Sequence, residues 1–334
     1  MQIRHGKNLF YLAVALFLLW AALFLFQDAG VATPIEPTQA KKIIPYYADK
    51  PLLTEASDIL CYPETPAPGD FLIVEAGPFS ESEAVNIEFE FPGVISNYYR
   101  AGSMLYAIIA ISPDLEPGIY QLKITGAFIT ADDKNLQIPV VIAAKEFHTS
   151  YFTMPPERTE GWTAARLAED RENIRLARDT TEPQPLWLKT FVNPLEGRRS
   201  SLYGAIRFIN NNPPRRHSGI DIAAAEGTPV IAPNNGIIRL AESLLSGGNT
   251  VIVDHGIGLS STYMHLHSMA VTEGQTIERG DLLGTVGMTG YATGPHLHWE
   301  VNIKQTAVNP EQLLQNDLLW IAPAYVEDWI SALE

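Results

Sequence analysis

Short runs of strand-forming residues, separated by turn residues, constrain the fold of this chain more than any other feature. Residues 85–91 read Val-Asn-Ile-Glu-Phe-Glu-Phe and alternate apolar and polar side chains with period two, which is typical of a half-buried strand. Comparable runs occupy residues 71–76, 104–112, 118–125 and 136–143. Strands at this spacing predict a β-sandwich of immunoglobulin-like type, and they predict that the chain as a whole is mainly β.

One later stretch has the composition of a long helix. Between Trp162 and Ala177 there is neither Pro nor Gly, and good helix formers dominate. We predict a charged connecting helix here, because glycine-rich, strand-like sequence resumes at about Pro185. We expect the sandwich to fold separately from the second β domain, since the connector has the character of a boundary. The predicted organisation is an N-terminal segment at 1–32, a linker at 33–49, the sandwich at 50–148, a helical connector at 149–185, a second β domain at 186–315 and a tail at 316–334.

The N-terminal segment contains an uncharged apolar run from Leu9 to Phe26. The run has 18 residues, about 27 Å as a helix, which matches one hydrocarbon thickness. Arg4 and Lys7 precede it, so the positive-inside rule places the N-terminus in the cytoplasm and the bulk of the chain outside. We therefore predict an uncleaved, single-pass N-terminal transmembrane helix within residues 1–32. The competing interpretation is a cleaved signal peptide.

Composition excludes several classes of function. The net charge is −15, from 23 basic and 38 acidic residues, which makes the chain a poor general binder of nucleic acid. A single cysteine, Cys61, excludes an intrachain disulfide and any zinc site built from several cysteines. We accordingly predict no nucleic-acid partner and no cysteine-based metal site.

Histidines supply that chemistry. Six of the 8 fall within the 82 residues from His217 to His298. His217 and Asp221 form an H-x3-D pattern, while His296 and His298 form an H-x-H pattern whose side chains share one face of a strand. Three ligands of N, N and O type would leave a fourth zinc position open, as in a catalytic site. Either pattern alone is weak evidence, because a lone histidine is usually structural.

Three motifs together resemble a known family. The motifs His217-Ser-Gly-Ile-Asp221, Tyr263-Met-His265-Leu266 and Gly294-Pro-His296-Leu-His298-Trp-Glu300 are similar to the signatures of the lysostaphin/LytM-type zinc endopeptidases. The fold of that family is called the duplicated hybrid motif, and its members cut peptide bonds in bacterial peptidoglycan. The resemblance extends over about residues 192–315, roughly a third of the chain, and implies an antiparallel β-sheet peptidase domain there.

The resemblance implies a role for five residues of these motifs. His217, Asp221 and His298 would hold Zn2+. His265 and His296 would orient the nucleophilic water, take its proton and stabilise the tetrahedral intermediate.

Other polar residues near the motifs have weaker assignments. His255 and His267 have no place in the family pattern, so we expect them to be structural or exposed. Glu300 is either a partner of His298 or a member of a salt bridge. Some relatives place a tyrosine a few residues before the first ligand, whereas the nearest here is Tyr203, so that role is unassigned. Asn210 or an arginine is a candidate substitute.

The expected function is a membrane-anchored, zinc-dependent endopeptidase that hydrolyses peptide cross-links of peptidoglycan during cell-wall remodelling. We expect localisation in the cell membrane with the catalytic domain outside the cytoplasm. The expected partners are peptidoglycan peptides, the cytoplasmic membrane, and cell-wall machinery contacted through the sandwich. The alternative is a non-catalytic wall-binding or amidase-regulating protein on the same fold. Such proteins lack one or more metal ligands, whereas all five chemical positions are filled here. The residues do not specify which bond is cut.

Overall fold

The computed structural model describes residues 58–77, 88–125, 135–188, 190–210 and 212–315, and it confirms that the chain is mainly β. The first β region consists of β1 (Asp58–Tyr62), β2 (Phe71–Gly77), β3 (Glu88–Glu90), β4 (Gly93–Ile95), β5 (Tyr99–Ala101), β6 (Met104–Ile111), β7 (Gly118–Thr125) and β8 (Asn135–Ile142). The connector comprises β9 (Thr149–Phe152), a 3-10 helix (Pro156–Thr159) and α1 (Ala164–Asp179). The second β region consists of β10 (Arg198–Ser201), β11 (Ile206–Ile209), β12 (Arg215–Arg216), β13 (Gly219–Ala223), β14 (Pro229–Ile231), β15 (Gly236–Leu244), β16 (Gly248–Asp254), β17 (Leu259–Met269), β18 (Thr276–Ile277), β19 (Leu282–Val286), β20 (His296–Ile303) and β21 (Thr306–Val308), followed by α2 (Glu311–Gln315).

The first β region is a two-layer sandwich. One sheet has the strand order β1-β2-β6-β4, with β5 also paired to β6, and the other has the order β3-β7-β8. Leu72, Val74 and Ile109 of the first sheet belong to one buried cluster with Leu122 and Val140 of the second. The two layers therefore enclose a core of their own, as the strand spacing predicts.

The first sheet of the sandwich is buried on both faces. Along β2, Leu72 and Val74 belong to the sandwich core, whereas Phe71 and Ile73 belong to a larger core that also contains Trp299 of the second region. This explains why β2 is apolar almost throughout, since a strand covered on both sides reads as a continuous run. The predicted domain bounds stay a prediction, but separate folding of the sandwich does not fit a core that the two regions share.

The second β region is dominated by a ten-stranded sheet. Its main path is β10-β13-β20-β17-β16-β15-β18; in addition, β19 pairs with β17 and β14, and β21 pairs with β20. All the pairs within it are antiparallel, which confirms the predicted β-sheet peptidase architecture. Along β20, Leu297 and Trp299 point into the shared core, so His298 and Glu300 point to the opposite face, which we call the site face.

The connector helix α1 packs on the site face. Thr163 caps it, because the Thr163 side chain accepts a hydrogen bond from the backbone N–H of Arg166 at 3.2 Å. Ala177 lies in a small buried cluster with Leu240 and Ile252 of the sheet. Residues next to these two in sequence face the shared core, so Leu240 and Ile252 lie on the opposite face, against the helix. The predicted charged connecting helix is confirmed, and it covers part of the sheet.

The fold prediction was wrong in one element, the N-terminal transmembrane helix. Among the described residues, no helix combines the length and the apolar character that a membrane crossing needs. Helix α1 has 16 residues and is rich in Arg, Glu and Asp, and α2 has 5 residues. The run Leu9–Phe26 lies outside the described residues, as do the predicted linker at 33–49 and tail at 316–334.

Candidate active site

Two neighbouring strands bring the first pair of predicted metal ligands together. Strands β13 and β20 run antiparallel, with Asp221 opposite His298 and Gly219 opposite Glu300. The strands approach closely because Gly219 has no side chain: a Cβ there would lie 2.3 Å from the carbonyl oxygen of Trp299. The glycine of the H-S-G-I-D motif is therefore a packing requirement of the ligand pair.

His217 completes the trio from the turn before β13. Its Nδ1 lies 2.8 Å from the carbonyl oxygen of Leu202, so Nδ1 carries the proton and donates. The lone pair of Nε2 then faces the centre, 3.1 Å from Oδ1 of Asp221 and 2.9 Å from Nδ1 of His298. Burial lowers the pKa of His217, which favours the neutral ring that a metal needs.

The third ligand, His298, is held in the complementary tautomer. Its Nε2 lies 3.0 Å from Oε1 of Glu300, and its Nδ1 lies 2.8 Å from Oδ1 of Asp221. The potential ligand atoms of His217, Asp221 and His298 all lie within 4.8 Å of one another, and all three residues are buried. The donor set is two imidazole nitrogens and one carboxylate oxygen, which zinc takes in catalytic sites. Each of the three side chains is oriented by hydrogen bonds with neighbouring groups.

Glu300 ties this trio to the connector helix. Its Oε2 accepts a hydrogen bond from Nη2 of Arg178 at 2.6 Å, and Ser218 donates to Oε1. Burial by itself would raise the pKa of Glu300, but Arg178 and His298 hold it well below its usual range. Burial by itself would lower the pKa of His298, but its hydrogen bonds with Asp221 and Glu300 raise that pKa to about 9. Both sequence-based interpretations of Glu300 hold, since it is the partner of His298 and a salt-bridge member.

The second carboxylate oxygen of Asp221 is also engaged. Oδ2 accepts a hydrogen bond from Nη2 of Arg207, whose guanidinium group also donates to Ser201 at 2.7 Å and lies 5.4 Å from the ring centre of Phe152. Burial would raise the pKa of Asp221, but its hydrogen bonds with the two histidines keep it far below the usual range. The carboxylate is therefore ionised and fixed in orientation before any metal binds.

His265 reaches the site because its strand is irregular. The register of β16 and β17 shifts between Val251 opposite Tyr263 and Asn249 opposite Leu266, and His265 in that interval has a φ of 65°. A φ in this left-handed region is uncommon for a residue with a side chain and marks a constrained position. In a regular strand, the side chain of His265 would point into the core on the same face as Tyr263. The irregular backbone turns it toward the site instead, and its ring centroid lies 4.8 Å from that of His296.

Both additional histidines present an unprotonated nitrogen. Nδ1 of His265 lies 2.8 Å from the carbonyl oxygen of Thr289, and Nδ1 of His296 lies 2.8 Å from that of Gly294. The proton of each neutral ring is thus on Nδ1, and Nε2 is free to accept one. Nε2 of His296 lies 3.7 Å from Oδ1 of Asp221, at the edge of the metal site. Burial lowers the pKa of His265 to about 3, which keeps that ring neutral.

The two other histidines of this region do not join the site. His255 is fully buried, with Nδ1 bonded to the carbonyl oxygen of Asn235 and Nε2 to the hydroxyl of Ser261. His267 is exposed and lies 2.7 Å from a carboxylate oxygen of Glu226. Their positions match the expectation of structural and exposed residues.

The candidate replacements for the family tyrosine lie away from the metal ligands. Tyr203 is buried and donates its hydroxyl proton to the carbonyl oxygen of Ala307, and Asn210 bonds the backbone of Met154. Arg207 of β11 does contact a predicted metal ligand, since it donates to Oδ2 of Asp221. Sequence reasoning missed it, and missed Arg178, because neither belongs to a motif and each reaches the site through the tertiary fold.

Comparison with known proteins agrees with this geometry. Peptidase family M23 matches residues 215–310. The chain is 43% identical over 96 residues to the DD-carboxypeptidase/endopeptidase Mpg of Neisseria meningitidis, covering 29% of this chain and 22% of that protein. It is 35% identical over 113 residues to the peptidoglycan DD-endopeptidase ShyA of Vibrio cholerae, covering 31% of this chain and 26% of that protein. The match therefore spans about a quarter of the length of these relatives.

One solved structure matches most of the chain. A crystal structure from Pseudomonas aeruginosa, described as a candidate M23 peptidase, is 26% identical and covers 75% of this chain and 94% of its own, with a TM-score of 0.54. That coverage includes much more than the part that the family match spans. Residues 215–310 are therefore similar to the metallopeptidases of family M23, and the similarity in fold extends over most of the chain.

Proposed function

We propose that this chain is a zinc-dependent endopeptidase that hydrolyses peptide cross-links of bacterial peptidoglycan. The observation that carries the proposal is the convergence of five residues. A complete ligand trio lies beside two histidines, His265 and His296, whose Nε2 atoms make no hydrogen bond to any other described residue. A protein that merely bound the wall would need neither of them.

The reaction breaks a C–N bond by adding water. Zinc, when bound by His217, Asp221 and His298, supplies a Lewis acid that polarises the peptide carbonyl and lowers the pKa of water. Nε2 of His265 accepts a hydrogen bond from the attacking water and orients it. Nε2 of His296, which is more exposed, takes the proton of that water and returns it to the leaving amine, so that a carboxylic acid and an amine are released.

The bond and the compartment are inferred from the relatives' names. Because the Vibrio cholerae relative is named a peptidoglycan DD-endopeptidase and the Neisseria meningitidis relative a DD-carboxypeptidase/endopeptidase, we infer that the cross-link between two D-configured centres is the bond cut here. Peptidoglycan lies outside the cytoplasmic membrane, so the peptidase domain is proposed to act there.

The test is digestion of purified peptidoglycan by the full chain, with products identified by mass spectrometry. We expect cross-linked dimers to be converted to monomers, chelator to abolish the conversion and added zinc to restore it. His265→Ala and His296→Ala should retain zinc and lose at least about 100-fold in rate, as expected for loss of a general acid–base group. His298→Ala should lose the zinc itself.

His267→Ala is the matched control, since His267 is an exposed histidine two residues from His265 and its side chain pairs only with Glu226 among the described residues. It should digest peptidoglycan like the wild type. An unchanged muropeptide pattern with the zinc-loaded wild type would contradict the enzyme and favour the non-catalytic, wall-binding alternative. Equal zinc content in the wild type and in His298→Ala would contradict the ligand assignment.

A further inference from the structure

A cavity of about 410 Å³ lies on the site face, between α1 and strand β17, which carries His265. Met264 lines it, and Met264 is opposite His298 in the β17–β20 register and directly precedes His265. Gly247 also lines it, and the carbonyl of Gly247 accepts a hydrogen bond from the backbone N–H of His265 at 2.7 Å. The cavity therefore adjoins the reaction centre.

The opposite wall of this cavity comes from the connector. Trp162, Leu167 and Ile174 line it, and the Trp162 ring lies 5.6 Å from the ring of Tyr291 across it. All three precede residue 215, where the family match begins. This wall of the cavity therefore comes from outside the part of the chain that matches the family. We call the cavity the connector pocket, defined by Trp162, Leu167, Ile174, Gly247, Met264 and Tyr291.

Two guanidinium groups lie at the edge of the connector pocket. Arg171 and Arg215 line it and are exposed, and neither has a hydrogen-bond or ion-pair partner among the side chains that the structure describes. Asp170 also lines the pocket, but its two oxygens already accept hydrogen bonds from Nε of Arg166 at 3.1 Å and from the backbone N–H of Leu245 at 2.7 Å. The pocket therefore combines apolar walls with two unpaired positive charges at its edge. This local positive charge contrasts with the net charge of the chain, which is −15.

We propose that the connector pocket is a substrate subsite that binds an acidic part of the cross-linked peptide, next to the scissile bond. The proposal rests on the proposed function. Planar guanidinium groups match carboxylates in pairs of hydrogen bonds, so Arg171 and Arg215 would hold a free carboxylate of the peptide. The walls formed by Trp162 and Met264 would cover the alkyl part of the same residue. A peptide with a free carboxylate at this position should therefore bind more tightly than the same peptide without one.

The test compares two soluble cross-linked peptides that differ only in whether their side-chain carboxylates are free or amidated. With the double variant Arg171→Gln/Arg215→Gln of the full chain, we expect KM for the free acid to rise by at least about tenfold, because the carboxylate loses both of its charged partners. KM for the amidated peptide and kcat for both should stay unchanged. Arg175→Gln is the matched control, because Arg175 lies on the same helix but pairs with Glu172 and Asp179 and does not line the pocket.

A binding measurement separates this proposal from the proposed function. Calorimetric titration of the zinc-loaded His265→Ala protein should show a preference for the free acid, and adding the two arginine substitutions should abolish it. If the wild type cleaves neither peptide but this preference is seen, the proposed function fails and the subsite stands. If the wild type cleaves and the double variant behaves identically, or loses equally on both peptides, the subsite is overturned.

Discussion

At the scale of single residues, a chain of charged groups links a metal ligand to the connector helix. Nε2 of His298 bonds Glu300, and Glu300 bonds Arg178, whose side chain is 11% exposed while that of Glu300 is 6% exposed. Partners of this kind fix the tautomer and the ring orientation of a ligating histidine. Removing one member of a buried ion pair also leaves the other charge unpaired, which costs far more than the pair contributes.

Replacing Arg178 by Gln should therefore weaken the metal site from a distance. We expect zinc affinity to fall about 10- to 100-fold, the usual effect of losing an outer partner of a ligand, while Arg178→Lys should recover part of it. The measurement is competition for zinc with a chelator of known affinity. Arg175→Gln, one turn away on the outer side of the helix, should bind zinc like the wild type. Equal affinities in all three variants would show that Glu300 orients His298 without help.

A buried histidine outside the site should make stability depend on pH. Burial lowers the pKa of His255 to about 4, whereas an unfolded histidine titrates near 6.5. Between these values the unfolded chain binds the proton and the folded chain does not, so stability is complete above about pH 6.5 and falls as the pH drops toward 4. The loss from this one group reaches about 3 kcal/mol.

The check on His255 is urea unfolding in chelator at pH 7 and at pH 4.5. His255→Gln cannot take up the proton, so its loss of stability between the two pH values should be smaller than that of the wild type by about 2 kcal/mol or more. The same pH dependence in both proteins would mean that the folded His255 takes up the proton without cost.

Spacing explains which site residues the sequence could predict. His217, Asp221, His296 and His298 lie in two short motifs, so both the residue types and their spacing can be recognised in the sequence. Arg178 lies more than 100 residues before its partner and sits in a helix rich in similar charges, where nothing local distinguishes it from its neighbours.

At the scale of elements, the site depends on how closely its strands approach. Gly287 forms a bridge with His296, whose backbone N–H donates to its carbonyl at 3.2 Å. A Cβ on Gly287 would lie 2.3 Å from the backbone nitrogen of His267 and 2.8 Å from the carbonyl oxygen of His265. This glycine therefore sets the spacing between the segments that carry His265 and His296, the two proposed catalytic histidines.

Gly287→Ala should push these segments apart and leave the metal ligands in place. We expect zinc content to be retained and the hydrolysis rate to fall about 100-fold, the scale expected when reactive groups move by about 1 Å. Gly294→Ala is the matched control, because a Cβ there meets no atom within 4 Å although Gly294 also precedes His296 closely. A Gly287→Ala protein with full activity would show that β17 adjusts without cost.

At the scale of the whole molecule, the shared core joins the sandwich to the peptidase sheet. Gln312 of α2 reinforces this junction, since its side chain accepts a hydrogen bond from the backbone N–H of Phe71 and donates to the Phe71 carbonyl, at 2.6 and 2.7 Å. Period and turn signals predict the strands, but they do not show what covers the second face of β2. The sequence could therefore predict a sandwich and a peptidase sheet without predicting that they share a core.

A fragment that begins at residue 185 tests this junction. Without the sandwich and α1, it would expose the side of the shared core that Phe71, Ile73 and Ile108 cover, and it would lack Arg178. We expect the fragment to be poorly soluble and to bind zinc weakly, and the longer chain to unfold in a single thermal transition. A soluble fragment that hydrolyses cross-linked peptides would show instead that the peptidase sheet is self-sufficient, as the sequence alone suggests.

Helix α1 contributes to two parts of the molecule. Its last turn contacts Glu300, the hydrogen-bond partner of the predicted zinc ligand His298, and its earlier turns form a wall of the connector pocket. A helix of 16 residues is close to rigid, so a shift at one end is passed to the other. On the proposed function and subsite, zinc affinity and peptide specificity are coupled through α1, and a variant whose substrate preference changes through α1 should change its zinc affinity as well.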